Sequence, residues 1–348
     1  MILLFITRSL SGGGAEKVTS TLANYCAELG HCVHVVTYSV SQADYCLSGE
    51  VVLHDHSEIR ETKRPGKLKQ LHSSFDFDAI ISLGSKYNYI ALSGLLKTGR
   101  VILSERNDPK KFYSNALHFA FVAWCYRRAA GVVFQTRHAR NCFKSIDCVE
   151  IIPNPVAKPR YMWSEENHEK VVVNFCRLEP QKNLKLLIDA FDLFSLDQPD
   201  YQLHIYGEGS LKESLQQNIE KNKSKDRVFI RPFAENIHEI ISKAEIFASS
   251  SDYEGMSNSL LESMSMGIPV VSTDCGGGSA RELLAGVPGP CLVERGDVAA
   301  MAQALNTVSR DTDLRIEMSR SELSLSKNFE PLKVTQKWVE FIECCVCR

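Results

Sequence analysis

The sequence predicts an α/β protein of two doubly wound units with parallel sheets, on three observations. Short apolar runs alternate with stretches of helical period along the whole chain. A proline-rich segment, Ile151-Ile152-Pro153-Asn154-Pro155-Val156-Ala157-Lys158-Pro159, interrupts that alternation once, and the alternation then restarts. With 348 residues, 44% of them hydrophobic, the chain can fill two cores of ordinary domain size.

The elements follow in order. Ile2–Thr7 reads as a first strand, because the opening apolar run is too short for a signal peptide and lacks its basic flank. Val18, Leu22, Tyr25, Cys26 and Leu29 then fall on one helix face, and Gly30 stands where a C-terminal cap is expected. Further strands are expected at Val33–Thr37, Ala79–Leu83, Arg100–Leu103 and Val132–Phe134. The three prolines of the linker push the residues before them into extended geometry and exclude helix. Beyond it come a strand at Val171–Phe175, a helix from Asn183 to about Leu196, a strand at Gln202–Tyr206 and a helix from Leu211. Strands at Val228–Ile230 and Ile246–Ala248 follow, and Pro331 opens a last helix over Leu332–Ile342.

Charge is uneven. Residues 1–160 carry 20 Lys and Arg against 13 Asp and Glu, whereas residues 161–348 carry 20 against 29. A basic half suggests an anionic partner. Two segments concentrate the effect: Lys63, Arg64, Lys67 and Lys69, and the stretch from Lys110 and Lys111 through Phe112–Arg128, where Phe119, Phe121, Trp124 and Tyr126 stand beside Arg127 and Arg128. A peripheral contact with an anionic membrane is the expectation, and no nucleic-acid partner is expected. No run of 18 apolar residues appears, so a cytoplasmic protein resting on the inner face of the cell membrane is expected. Twelve irregularly spaced cysteines read as thiols of a reducing compartment, and Cys344-Cys345-Val346-Cys347 reads as a plain helix end.

The chemistry concentrates at the ends of the expected strands, where open α/β sheets bind ligands; two such units facing each other would share a cleft. Glu254 and Glu262 are eight positions apart and cannot share a helix face as partners. Leu260, Leu261 and Met264 make a buried stripe for a helix capped by Ser257 or Asn258, with Glu262 facing away and Glu254 in the loop ahead. A loop carboxylate, the amides of Gly255, Met256 and Ser257 at a helix start, and a second carboxylate on the helix suit a ligand with hydroxyls at both ends and negative charge between. A nucleotide sugar has that layout. Arg177 and Lys182 directly follow the strand at Val171–Phe175, where a guanidinium fork and a point charge reach the same two phosphates. Gly12-Gly13-Gly14, with Glu16 in the first helical turn, allows close backbone approach by a donor phosphate or a lipid diphosphate. It is no dinucleotide fingerprint, since Lys17 takes the third glycine's place, and no P-loop, since neither Ser nor Thr follows Lys17.

Four segments in this order resemble one family: Gly12-Gly13-Gly14-Ala15-Glu16, Asn174-Phe175-Cys176-Arg177-Leu178-Glu179-Pro180-Gln181-Lys182-Asn183, Ile205-Tyr206-Gly207-Glu208-Gly209 and the Glu254 to Glu262 segment. They are similar to the retaining glycosyltransferases of family four, of the bacterial surface-glycan type. That resemblance implies a GT-B fold: a Rossmann-like acceptor domain over 1–157, a nucleotide-sugar domain over 158–328 and a helix over 329–348 that crosses back to the first. It implies Arg177 and Lys182 on the leaving diphosphate and Glu254 on the donor sugar. It places Glu262 on the ribose and Gly14, Gly207, Phe233, Gly255, Met256, Ser257 and Asn258 around the donor. Gly12, Gly13, Glu16 and either Glu105 or Arg106 would face the acceptor or the donor sugar, the last two standing where many members carry a histidine. Cys176 and Ser257 depart from the family's usual glycine and proline. The implied reaction transfers a sugar from a nucleotide-sugar donor, expected to be UDP-linked, to a glycan or polyprenyl-diphosphate-linked acceptor, with retention and without a metal or other cofactor. Asp76-Phe77-Asp78 and Asp311-Thr312-Asp313 spell D-x-D, but one precedes its strand and the other lies in a charged surface run. Two rivals share the layout: a sugar-nucleotide 2-epimerase, which would need no acceptor, and a non-catalytic subunit, which would not need all of Arg177, Lys182, Glu254 and Glu262.

Overall fold

The computed structural model describes residues 1–39, 45–113, 115–234 and 236–347, without the side chains of residues 85 and 86. It divides into two compact units, Met1–Pro155 with Phe329–Arg348, and Val156–Asn328. The first runs β1 (Ile2–Ile6), α1 (Gly14–Glu28), β2 (Cys32–Thr37), β3 (Val51–Asp55), α2 (Arg64–Phe75), β4 (Ala79–Leu83) and α3 (Ser85–Leu95). It continues with β5 (Val101–Glu105), α4 (Pro109–Phe112), α5 (Ala116–Tyr126), β6 (Gly131–Phe134), α6 (Arg137–Cys142) and β7 (Val149–Ile151). The second runs β8 (Glu169–Phe175), α7 (Leu184–Asp197), β9 (Gln202–Tyr206), α8 (Lys212–Ile219), β10 (Val228–Arg231), α9 (Ile237–Ile241) and β11 (Ala244–Ser249). Then come α10 (Asn258–Met266), β12 (Val270–Thr273), α11 (Ser279–Leu283), β13 (Leu292–Val293), α12 (Val298–Arg310) and α13 (Thr312–Ser326). The last helix, α14 (Pro331–Val346), belongs to the first unit.

Both sheets are parallel, in the orders β3-β2-β1-β4-β5-β6-β7 and β10-β9-β8-β11-β12-β13. Strand order therefore reverses between β1 and β4 in one unit and between β8 and β11 in the other. Helices on both faces explain why the central strands read as unbroken apolar runs. In β1, Leu3 and Phe5 join one core cluster while Leu4 and Ile6 join the other, the alternation a pleated strand demands. The strands missed by sequence reading, β3, β7, β12 and β13, lie at or near sheet edges, and Val52 and Leu53 of β3 are exposed.

Helix α14 completes the first core: Val334, Trp338, Phe341 and Ile342 pack into the cluster of Leu3, Phe5 and Leu22. Its seat depends on Gly131, where a Cβ would come within 2.5 Å of Cys345 Sγ and 2.8 Å of a Phe341 ring carbon. Both D-x-D segments are structural. Asp76, at φ 48°, ends α2 and pairs with Arg100 at 2.7 Å, while Asp78 accepts from the Ile2 amide at 2.7 Å. Asp311 caps α13 by accepting from the Leu314 amide.

Candidate active site

In the second unit the loops after β8 and β11 meet at the reversal of strand order, the position at which open α/β sheets bind ligands. Sequence reading put Lys182 on one loop and Glu254 on the other; the structure joins them in a largely buried ion pair. Ser251 Oγ donates to the same carboxylate oxygen at 2.8 Å, and Gln181 Nε2 donates to the other at 3.0 Å. Gln181 also donates to the Tyr253 carbonyl, and Asn183 Nδ2 reaches Asp252 Oδ1 at 3.0 Å. The two loops are thereby laced together, with Asn183 holding a left-handed φ of 42° at the turn into α7. Burial acts to lower the Lys182 ammonium's pKa, but the adjacent Glu254 carboxylate outweighs it and holds the lysine above its ordinary value. Arg177 is exposed beside this pair and contributes to its field. Cys176, in place of the family's glycine, has its thiol pushed up to about 12 by burial and is no nucleophile. Its carbonyl lies where a Cβ on Gly207 would stand, 1.8 Å away, and a Cβ on Gly209 would meet the Leu178 backbone at 2.5 Å, so both glycines are required by close backbone approach.

The helix ahead of which Glu254 sits forms as expected. Ser257 is its N-cap, accepting from the Leu260 amide, and Gly267 ends it at φ 74°. Gly255, Met256 and Ser257 are buried at its start and Asn258 is half-buried. Glu262 points away from the buried stripe and bonds His238 Nε2 on α9 at 2.7 Å, a partner with no signal in the local spacing. Phe233 is 60% exposed beyond β10, where Arg231 stacks over Phe229. Sequence reading overlooked Gly276-Gly277-Gly278 after β12, although a glycine triplet following a strand was a usable signal. The Glu254 amide donates to the Gly276 carbonyl at 2.9 Å, and Gly277 and Gly278 have φ of 94° and 72°.

The first unit corrects one expectation. β5 runs on through Ser104 and Glu105, past the strand expected at Arg100–Leu103, and Glu105 is fully buried. Its carboxylate accepts from the hydroxyls of Tyr113 and Tyr126, both at 2.8 Å, and from the amides of Arg106 and Asn107. Burial raises its pKa against those four bonds, and with its lone pairs so used Glu105 does not face a sugar. The Arg106 head lies over the Trp338 ring of α14 and donates to Asn154 at 2.6 Å; burial lowers its pKa to about 9. At the start of α1 a side chain closes over the glycines. Gly12 takes φ 72°, but the Glu16 carboxylate folds back onto Gly13, where a Cβ would meet it at 1.9 Å, and Arg8 pairs with it at 3.1 Å. The basic cluster also changes: Arg64 is buried, donating to the Ile59 and Tyr38 carbonyls, and only Lys63, Lys67 and Lys69 are exposed.

Two family profiles match consecutive parts of the chain, Glycosyltransferase Family 4 over residues 12–158 and Glycosyl transferases group 1 over residues 169–311. The N-acetylgalactosamine-N,N'-diacetylbacillosaminyl-diphospho-undecaprenol 4-alpha-N-acetylgalactosaminyltransferase of Campylobacter jejuni is 27% identical, over 96% of this chain and 97% of its own. A second enzyme of that organism, the GalNAc-alpha-(1->4)-GalNAc-alpha-(1->3)-diNAcBac-PP-undecaprenol alpha-1,4-N-acetyl-D-galactosaminyltransferase, is 24% identical over 98% of both chains. Among solved structures, Anabaena Alr3699/HepE in complex with UDP and glucose superposes with a TM-score of 0.84 at 19% identity, covering 99% of this chain and all of its own. The fold is thus that of the GT-B glycosyltransferases.

Proposed function

We propose that this chain, which belongs to glycosyltransferase family four, is a retaining α-glycosyltransferase that moves a sugar from a UDP-linked donor to a lipid-linked glycan in bacterial envelope polysaccharide synthesis. One observation carries the reading: Lys182 and Glu254 are locked together at the strand reversal, with Arg177 beside them and Glu262 on the following helix. Breaking the C1–O bond leaves positive charge on the sugar and negative charge on the departing diphosphate. A fixed cation and a fixed carboxylate in contact oppose both charges without reorganising, the condition under which electrostatic stabilisation is largest. Arg177 and Lys182 neutralise the phosphates, Glu254 faces the sugar, and Glu262 takes the ribose. Among the described carboxylates of this unit only Glu254 is a candidate for the face of C1, and it is held by Lys182, Ser251 and Gln181. That favours front-face attack, with the leaving phosphate assisting deprotonation of the acceptor, over a double displacement. Positive charge comes from side chains and a helix start, so no metal is required. The lipid-linked acceptor is supported by the undecaprenol-linked substrates in the names of the Campylobacter relatives, and a UDP donor by the ligands of HepE.

The test combines purified protein, a panel of nucleotide sugars and an undecaprenyl-diphosphate-linked glycan, with the product's anomeric configuration read by NMR. An α-linked product, formed equally with excess EDTA, is expected. A β-linked product, or abolition by EDTA with rescue by Mn²⁺ or Mg²⁺, would overturn the retaining or the metal-free assignment respectively. Conversion of the donor without any acceptor would identify an epimerase instead.

A further inference from the structure

Cys148 and Cys345 are 197 positions apart in sequence, yet their sulfurs stand 3.2 Å from each other in the first unit. Each thiol is placed by rigid surroundings. The Cys148 carbonyl accepts from the Val132 amide at 3.0 Å, in the ladder that joins β6 to β7. Cys345 is buried near the end of α14, which sits close only because position 131 is glycine, its hypothetical Cβ lying 2.5 Å from Cys345 Sγ. Cys344 and Cys347, on the same helix end, are exposed, and Cys148 is half-buried and the more accessible member of the pair. Among the described residues no disulfide is formed.

We propose that Cys148 and Cys345 are a disulfide-forming pair, a modification site whose co-reactant is a low-molecular-weight disulfide. The Cys148 thiolate, having lost its proton to solvent, attacks one sulfur of that disulfide; its S–S bond breaks and the other half leaves as a thiol. The Cys345 thiolate then attacks Cys148 Sγ and expels the second half as a thiol. The chain is oxidised by two electrons and loses two protons, and the co-reactant is reduced to two thiols. The sulfurs need to approach by roughly 1.2 Å to reach the bonded separation, within reach of small side-chain rotations. The bond would close behind both crossings of the chain between units, since the second unit, Val156–Asn328, lies wholly between the two cysteines in sequence. Helix α14 would then be fixed to the first sheet by a covalent bond as well as by packing.

The full chain is incubated with glutathione disulfide, alkylated, and mapped by mass spectrometry of proteolytic peptides without reduction. A Cys148–Cys345 linked pair is expected from native protein, lost on dithiothreitol treatment; Cys345→Ser should instead retain glutathione on Cys148. A second reading follows carboxypeptidase trimming, in which the oxidised protein should keep residues up to 345 attached after the reduced protein has been shortened. Native protein that carries glutathione on Cys148 with no link, a link from Cys345 to Cys344 or Cys347, or a link that forms only in urea would overturn the proposal. Equal trimming of the linked and reduced forms would overturn the anchoring of α14. Wild-type mapping decides the pairing even where a serine variant fails to fold.

Discussion

Lys182 has two duties that pull a simple substitution in opposite directions. In the proposed reaction its ammonium serves the leaving group, but it is also the counter-charge of a buried carboxylate, so Lys182→Ala leaves Glu254 without its counter-ion and costs about 3–5 kcal/mol of stability. Turnover should fall by ~100-fold or more, the scale for losing one preorganised donor. The double variant Lys182→Ala, Glu254→Gln separates the two effects: thermal unfolding should return toward wild type while kcat stays low. Recovery of near-normal kcat in either variant would remove this residue from the mechanism. Both members of the pair were legible as single residues, one following a strand and one preceding a helix. Their partnership was not, because it spans 72 positions and no local spacing encodes it. Glu105 failed for the same reason in reverse: at the end of an apolar run it reads as a loop acid. What buries it is a pair of tyrosine hydroxyls brought in from Tyr113 and from α5.

Helix α5 is the element that departs most from a packed amphipathic helix. Val122, Cys125 and Tyr126 are buried, but Leu117 is 80% exposed, Phe121 49% and Trp124 42%. Lys110, Lys111, Arg127 and Arg128 are exposed around it, Arg128 lies over the Trp124 ring, and no acidic residue occurs from Pro109 to Ile146. Among the described residues no helix is long and apolar enough to cross a membrane. An apolar face rimmed by cations suits the surface of an anionic leaflet, each cation adding about 1 kcal/mol under low salt. In the Lys63 to Lys69 cluster, by contrast, Arg64 is buried. Sedimentation with anionic vesicles should pellet the wild type at low salt and release it at high salt. A variant with Leu117, Phe121 and Trp124 changed to Ser should remain in solution, and equal pelleting of the two would exclude α5 as the contact. At this scale the central strands were legible because burial on both faces makes them continuously apolar. The edge strands β3, β7 and β13 were not, since an edge strand needs to hide only part of its surface, and the buried β12 was overlooked as well.

Across the whole molecule, pH stability has an identifiable contributor on α13. Glu322 is fully buried, accepting from the Val270 amide at 3.0 Å, and burial raises its pKa well above the ordinary carboxylate value. A raised acid keeps its proton in the folded chain at a pH where the unfolded chain has lost it. Stability therefore falls as pH rises above the unfolded pKa, by about 1.4 kcal/mol per pH unit until the folded pKa is reached. Glu322→Gln should flatten that slope, gaining more in thermal midpoint at pH 8 than at pH 5; parallel curves for the two proteins would show that the carboxyl is not the source. The two-unit division was legible from the prolines of the linker, whereas the boundary at Pro155 depends on Asn154, whose side chain is held by Gln135 and Arg106 of the first unit. The return of α14 has a consequence for how the chain is made. Trp338, Phe341 and Ile342 belong to the same core as Leu3 and Phe5, so the first unit's core is completed by residues made only after the whole second unit, Val156–Asn328, has been made. At ordinary elongation rates that gap is roughly ten to forty seconds. During it the second unit can fold as one uninterrupted segment while the nascent first sheet waits with one flank uncovered, its exposed apolar face a natural client for a chaperone.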